Sequence, residues 1–496
     1  MRESGILLPI SSLPSQYGIG CFSKEAYEFV DQLALANQKY WQILPLGPTS
    51  YGDSPYQSFS TYAGNPYFID LNTLIEEGVL TKKECDLADF GSDSRFIDYG
   101  KLYKARYKLL RKAYERSNIS QNPEFRTFQE ENAWWLDDYA LFMAVKGFFQ
   151  DECWDKWTED IKKRYGYALD YYREQLYFEI EFQKYMQFEF SIQWKKLKTY
   201  ANENGIRIIG DIPIYVAYDS ADTWAHPELF QLDEENVPLA VAGCPPDGFA
   251  ADGQLWGNPL YRWDYHRRTG YTWWMQRLSY AFYLYDVVRI DHFRGFDEYF
   301  SIPYGDTTAR NGHWEKGPGI ELFHRMKEVL GERDVIAEDL GYVTDSVRQM
   351  VFESGFPGMK VFEFAFDSRD TGCAGDYLPH NYPVNSVVYT GTHDNATLIG
   401  WYQDIPKEGR EMLRDYIHDY TTSDRSLHWS VICRVMGSPA RICMIPMQDY
   451  LGLNNTCRIN TPSTLGTNWK WRLLDGEFTS DLQNKIKKLV RIYQRN

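Results

Sequence analysis

The sequence predicts an α/β protein, a (β/α)8 TIM barrel with helical insertions between barrel strands. Three observations carry that prediction. Short apolar, β-branched runs recur eight times, segments with helical apolar spacing separate several of them, and the chain opens β-α-β. Parallel strands need crossovers of this kind, and eight such strands close a barrel.

Taken in order, residues 4–13 form the first apolar run, ended by Pro14 and the Gly18-Ile-Gly20 turn. Residues 23–37 read as a helix, with Ser23 at the N-cap and a stripe of Ala26, Phe29, Val30, Leu33 and Leu35. Residues 40–46 are the second strand. Residues 51–67, rich in Gly, Pro, Ser, Asn and aromatics with Asp53 the only charge, form a loop of the kind that carries function after a barrel strand. Residues 68–205 are expected to be a largely helical insertion, with helices over 125–149 and 171–204, the latter stopped by Gly205. Residues 206–216 resume the strands. Residues 217–285 are expected to be a loop-rich insertion carrying an active-site lid. Runs at 287–291, 334–338, 359–366, 386–390 and 440–446 complete the eight, with helices at 320–330 and 344–353 between some of them. The whole chain, 1–496, reads as a single catalytic barrel, and the basic cluster at 485–495 as the solvated face of a C-terminal helix.

Composition narrows the function classes. With 44% hydrophobic and 25% charged residues the chain is globular. Aromatics reach 17%, including 38 Tyr and 16 Trp, a surplus that serves stacking surfaces as well as packing. A net charge of −16 argues against nucleic acid, which needs a concentrated basic surface, and suits a neutral substrate. The eight cysteines are scattered without metal spacing, as in a reduced, cytoplasmic protein. The N-terminal apolar run is too short for a signal-peptide core and no stretch approaches a membrane span, so no membrane partner is expected.

The chemistry collects around Asp286-Val-Val-Arg-Ile-Asp-His-Phe-Arg-Gly-Phe296. Period-2 alternation puts Arg289 and Asp291 on one face, where the guanidinium lowers the pKa of the carboxyl. On this stretch alone a structural ion pair is an equal reading. Two further runs share the design, however: Ala337-Glu338-Asp339-Leu-Gly341 and Thr390-Gly-Thr-His393-Asp394-Asn395. In a parallel barrel all three ends meet at one rim, and crowded carboxylates raise at least one pKa. That separation supplies the acid and the base of glycosidic chemistry.

The strand ends resemble those of the α-amylase superfamily, and the ordered set resembles the amylomaltase (4-alpha-glucanotransferase, disproportionating enzyme) family. The motifs are Tyr51-Gly-Asp-Ser-Pro-Tyr-Gln-Ser-Phe-Ser60, Gly64-Asn-Pro-Tyr67, Gly210-Asp-Ile-Pro-Ile214 and Gln254-Leu-Trp-Gly-Asn-Pro-Leu-Tyr261. They continue with Arg289-Ile-Asp-His-Phe-Arg294, Ala337-Glu-Asp-Leu-Gly341, Gly391-Thr-His-Asp-Asn395 and Asn460-Thr-Pro462. The resemblance implies transfer of α-1,4-glucan segments between maltooligosaccharides by a retaining double displacement. It makes Asp291 the nucleophile, Glu338 the general acid and base, and Asp394 the transition-state stabiliser, with His292 and His393 on sugar hydroxyls. Arg289 keeps Asp291 ionised and Asp211 supports the site; the implied carboxyl separation of Asp291 and Glu338 is ~5–5.5 Å. Tyr56 and Trp256 resemble subsite aromatics, and Tyr51 an outlying glucan contact.

One departure stands out. After Pro245-Pro-Asp247 the family has two aromatics, and this chain has Gly248-Phe249. The expectation is a weaker lid, with more hydrolysis or altered chain-length preference, and Phe249 still available. An α-1,4-glucan hydrolase and a catalytically inactive glucan-binding protein are the rival functions; intact Asp291, Glu338 and Asp394 oppose the second. No phosphate loop, lysine-anchored cofactor motif or calcium loop is present, so neither cofactor nor metal is expected. The oligomeric state is left open.

Overall fold

A parallel barrel is closed by eight of the strands in the computed structural model, which describes residues 2–246, 251–341, 343–366 and 374–496. In chain order the strands are β1 (Glu3–Leu7), β2 (Tyr40–Gln42), β3 (Arg207–Ile212), β4 (Ala240–Cys244), β5 (Gln254–Pro259) and β6 (Val287–Ile290). They continue with β7 (Glu298–Pro303), β8 (His313–Lys316), β9 (Val335–Ala337), β10 (Gly358–Val361), β11 (Ser386–Tyr389) and β12 (Ile442–Pro446). The barrel order is β1-β12-β11-β10-β9-β6-β3-β2. Every barrel strand corresponds to one predicted apolar run. Such strands are covered on both faces, which is why β6, β9, β11 and β12 are buried throughout and read as runs rather than alternations.

Several boundaries differ from the prediction. The apolar run at 359–366 leaves the sheet after Val361 and turns into a 3-10 helix, Phe362–Ala365. The predicted helix at 171–204 is two helices, Gly166–Gln175 and Tyr177–Glu203, separated at Leu176. Helix Lys24–Leu35 buries Ala26, Phe29, Val30 and Leu33, as the stripe requires. Its N-cap residue Ser23 gives no side-chain bond to the helix amides; the hydroxyl instead reaches Ser15 and Glu25.

Residues 217–285 hold more regular structure than a loop reading allows. β4 and β5 join β7 and β8 in an antiparallel sheet of order β5-β4-β7-β8, and helices Trp263–Arg268 and Thr272–Leu284 follow. Between β2 and β3 the chain is mostly helical, including Tyr99–Arg116 and Pro123–Phe148. A second apolar cluster, with Trp135, Tyr139, Phe142, Trp154, Trp157 and Trp224, joins these helices to the segment after β3. Much of the aromatic surplus is therefore spent on packing. Cys21, Cys85, Cys153, Cys433, Cys443 and Cys457 are free, and no described helix is long and apolar enough to cross a membrane.

Candidate active site

Strand register brings the carboxylates together. Asp211 pairs with Arg289 across β3 and β6, and Ile290 pairs with Ala337 across β6 and β9. Asp291 and Glu338 therefore leave neighbouring strands one residue beyond a register pair, at the same end of the barrel, where strands lie about 4.8 Å apart. The backbone ladder continues past the strands: Asp291 N–H donates to Ile212 O (3.0 Å), Glu338 N–H to Ile290 O (3.1 Å) and Phe293 N–H to Glu338 O (3.0 Å). Gly210 on β3 allows the Tyr285 ring to close against the barrel, since a Cβ there would meet that ring at 2.1 Å. His292 turns the chain out of the strand in a left-handed conformation (φ 50°, ψ 49°), unusual for a residue with a side chain.

Arg289 is the electrostatic centre. Its guanidinium bonds Asp211 Oδ2 at 2.6 Å and Asp291 Oδ1 at 3.0 Å, so Arg289 and Asp291 do share a face. Tyr56, from the loop after β2, donates its hydroxyl to the same Asp211 oxygen (2.7 Å) and stacks its ring on His393 at 5.0 Å and 17°. Asp211 is fully buried; its Oδ2 takes the bonds from Arg289 and Tyr56, while its buried Oδ1 has no hydrogen-bond partner. A carboxylate with no exposed surface is placed to support its neighbours at the end of β3.

Burial is the main force on Asp291 and Glu338. It raises Glu338 to about 7, with the charge of Asp291 adding to the rise; Arg289 and the amides of Leu340 and His292 oppose it. Those amides donate to the two Glu338 oxygens at 2.8 and 2.7 Å, which fixes the carboxyl plane. Asp291 is also raised, to about 6. Burial outweighs the pull of Arg289, and Asp211 and Asp394 add to the rise. The prediction that Arg289 lowers Asp291 is right for the pairwise effect and wrong for the net result, because burial outweighs the guanidinium and the charges of Asp211 and Asp394 add to the rise. The two carboxyls titrate as a unit that holds a proton into the neutral range, with Glu338 the more strongly protonated.

Asp394 goes the other way. Burial would raise it, but His393, Asn460 and Arg289 drive it down to about 2. His393 Nε2 lies 3.2 Å from Asp394 Oδ2, and Asn460 Nδ2 donates to Oδ1 at 2.6 Å. The His393 imidazole is opposed by burial yet raised by Asp394, which favours its cationic form. His292 is pushed down to about 3 by burial and then Arg294, so it stays neutral. Trp256, on β5, sets its ring edge-to-face with His292 at 4.8 Å and 89°.

The structure thus gathers Asp291, Glu338, Asp394, Arg289, His292, His393, Tyr56 and Trp256 along one cleft of about 3450 Å³. Small-molecule sites are typically ~300–1,000 Å³, so this one is sized for a long ligand. Phe249, with Gly248, lies outside the described residues, as does the Tyr51 side chain, whose backbone opens the 3-10 turn Tyr51–Asp53. Asp339 accepts the Met359 N–H at 2.7 Å, a structural task. Sequence reasoning gave no role to Asn460, or to Arg458, which donates to the Asp394 carbonyl. The Asn460-Thr-Pro462 motif, in the segment after β12, signalled the first of them, and nothing signalled Arg458.

A family model described as 4-alpha-glucanotransferase matches residues 8–477. The chain belongs to this family. It is 50% identical to the 4-alpha-glucanotransferase of Clostridium butyricum, over 98% of this chain and 99% of that one. It is 45% identical to the 4-alpha-glucanotransferase of Thermus thermophilus, over 100% and 99%. Among solved structures, the amylomaltase of Streptococcus agalactiae in complex with acarbose superimposes with a TM-score of 0.96 at 40% identity, covering all of both chains. The enzyme class is glucan transfer, and the resemblance read from the strand-end motifs is correct.

Proposed function

We propose that this enzyme transfers α-1,4-glucan segments between maltooligosaccharides through a covalent intermediate on Asp291. Asp291 attacks the anomeric carbon while the bond to the departing O4 breaks. Glu338 gives its proton to that oxygen. In the second half an acceptor 4-hydroxyl attacks the same carbon, Glu338 takes the hydroxyl proton, and the bond to Asp291 breaks. Two inversions retain the α configuration.

The observation that supports this reading is the strand register that sets Asp291 and Glu338 side by side at one end of the barrel, both carboxyls pushed upward by burial. Asp394, anionic and held by Asn460 and His393, stabilises the oxocarbenium-like charge on the ring and binds its hydroxyls. His292, neutral, exchanges hydrogen bonds with hydroxyls. Trp256, with Tyr56, Phe249 and Tyr51, favours a sugar acceptor over water. Residues 68–205 form the helical insertion subdomain and 217–285 the insertion that carries the lid. The enzyme works on cytoplasmic maltooligosaccharides, in keeping with the free thiols of Cys21, Cys85, Cys153, Cys433, Cys443 and Cys457.

Incubation with maltotriose tests the reading. Glucose and longer oligomers should appear together with little gain in reducing ends. A steady gain in reducing ends would instead support hydrolysis.

A further inference from the structure

Asp394 is carried on residues 390–398, which lead from the end of β11 into helix Leu398–Asp404. Both ends of that segment are tied to one side chain outside it. The Thr390 hydroxyl donates to Asp449 Oδ2 at 2.5 Å, and the Leu398 N–H donates to Asp449 Oδ1 at 2.7 Å. The second bond supplies the acceptor that the first amide of a helix lacks within its own turns. One carboxylate thus closes the segment into a ring, with an oxygen for each end. Inside the ring, Asn395 Oδ1 accepts from the N–H and the hydroxyl of Thr392 (2.9 and 2.8 Å), and Thr392 Oγ1 accepts from the N–H of Asp394 at 3.2 Å. The local bonds around Asp394 therefore lie within a frame whose two ends Asp449 fixes.

Asp449 is well placed to be an anchor. It belongs to helix Met447–Leu451, which begins directly after β12, and Met447, Gln448, Asp449 and Tyr450 are all buried. Its own exposure is 1%, and no cation offsets that burial. Burial pushes the carboxyl up to about 6, and the Leu398 amide and the Thr390 hydroxyl hold it from rising further. A buried carboxylate without a counter-ion is costly, and a side chain kept at such a cost marks a functional demand. Neither Asp449, Thr390 nor Leu398 lines the cleft, so that demand is not contact with the sugar.

We infer that Asp449 is a positioning residue for glucan transfer: it holds residues 390–398 taut, so that the Asp394 carboxylate meets the sugar ring where positive charge develops. The inference rests on the role proposed for Asp394. Because Asp449 stands outside the cleft, its loss leaves most substrate contacts in place. The loss is felt in the transition state, where misplacing a group by about 1 Å costs on the order of 100-fold.

The test compares kcat and KM for maltotriose in wild type, Asp449→Ala, Asp449→Asn and Thr390→Val, with folding checked by circular dichroism. Asp449→Ala cuts both ties and should lower kcat about 10–100-fold, with KM within about threefold of wild type. Asp449→Asn keeps an acceptor for the Leu398 N–H and can turn its amide to donate to Thr390 Oγ1. It exchanges two charge-assisted bonds for two neutral ones and should hold kcat within about fivefold. Thr390→Val cuts one tie at nearly constant shape and should lower kcat by about three- to tenfold, which also provides the reading should Asp449→Ala not fold. Wild-type kcat in Thr390→Val would overturn the inference, as would Asp449→Asn no more active than a folded Asp449→Ala, or a loss carried by KM. A wild-type enzyme that makes no longer oligomers from maltotriose would instead defeat the proposed transfer on which the inference rests.

Discussion

Removing the Arg289 guanidinium gives the sharpest test of the site's electrostatics. In Arg289→Met two carboxylates lose their cation at once, Asp211 at 2.6 Å and Asp291 at 3.0 Å. An opposite charge this close holds a carboxyl down by about 1–3 units, so Asp291 should rise from about 6 by roughly 2 units. In the proposed mechanism Asp291 acts as the anion, and its acid form is inactive. At pH 7 the ionised fraction falls from about nine-tenths to about one-tenth, so kcat/KM should drop roughly tenfold from ionisation alone. Its acid limb should move upward by about 2 pH units. Stability should suffer too, by about 3–5 kcal/mol, because buried Asp211 is left uncompensated. Arg289→Met combined with Asp211→Asn removes that orphan charge, so it should regain most of the melting temperature and part of the acid limb. The assay is kcat/KM for maltotriose between pH 4 and 9, alongside thermal unfolding. A loss of activity with an unmoved acid limb would refute the reasoning and leave Arg289 a packing residue.

Other expectations follow from the same geometry. For wild type, kcat/KM should be bell-shaped: activity is lost as pH falls through the raised Asp291 value near 6, and again as pH rises through the Glu338 value near 7, where the proton donor is lost. A flat profile from pH 5 to 9 would contradict this. Asn460→Ala removes the 2.6 Å bond to Asp394. It should lower kcat by about 10–100-fold with little change in maltotriose KM, if that bond tightens in the transition state. Tyr56→Phe deletes the hydroxyl bond to Asp211 but keeps the ring on His393, and should cost about 1 kcal/mol of stability while preserving transfer. Trp256→Ala should raise the hydrolysis-to-transfer ratio, measured as reducing ends gained per glucose released from maltotriose.

The barrel was legible because its physics is one-dimensional. A strand covered on both faces must be an unbroken apolar run, and eight such runs stand in the sequence. The second sheet hid for the opposite reason. β5 alternates half-buried and exposed residues over Gln254–Gly257 before its buried end, and β8 is His-Trp-Glu-Lys, so neither offers a run to read. The three carboxylates that gather in the cleft were legible as charges ending apolar runs. Their partners were not, since Asn460 meets Asp394 across 66 residues of chain and Tyr56 meets Asp211 across 155. The net rise of Asp291 was equally invisible, because sequence shows the neighbouring arginine but neither the burial nor the second carboxylate drawing on it.

The central claim is that Asp291 becomes covalently attached to sugar while Glu338 moves the proton. Glu338→Gln incubated with α-maltosyl fluoride addresses it directly, since fluoride departs without a proton donor and the release step still needs the base. Mass spectrometry of the digested protein should find one maltosyl unit on the peptide containing Asp291. An unmodified Asp291 peptide, or sugar attached to a different carboxylate, would contradict the account.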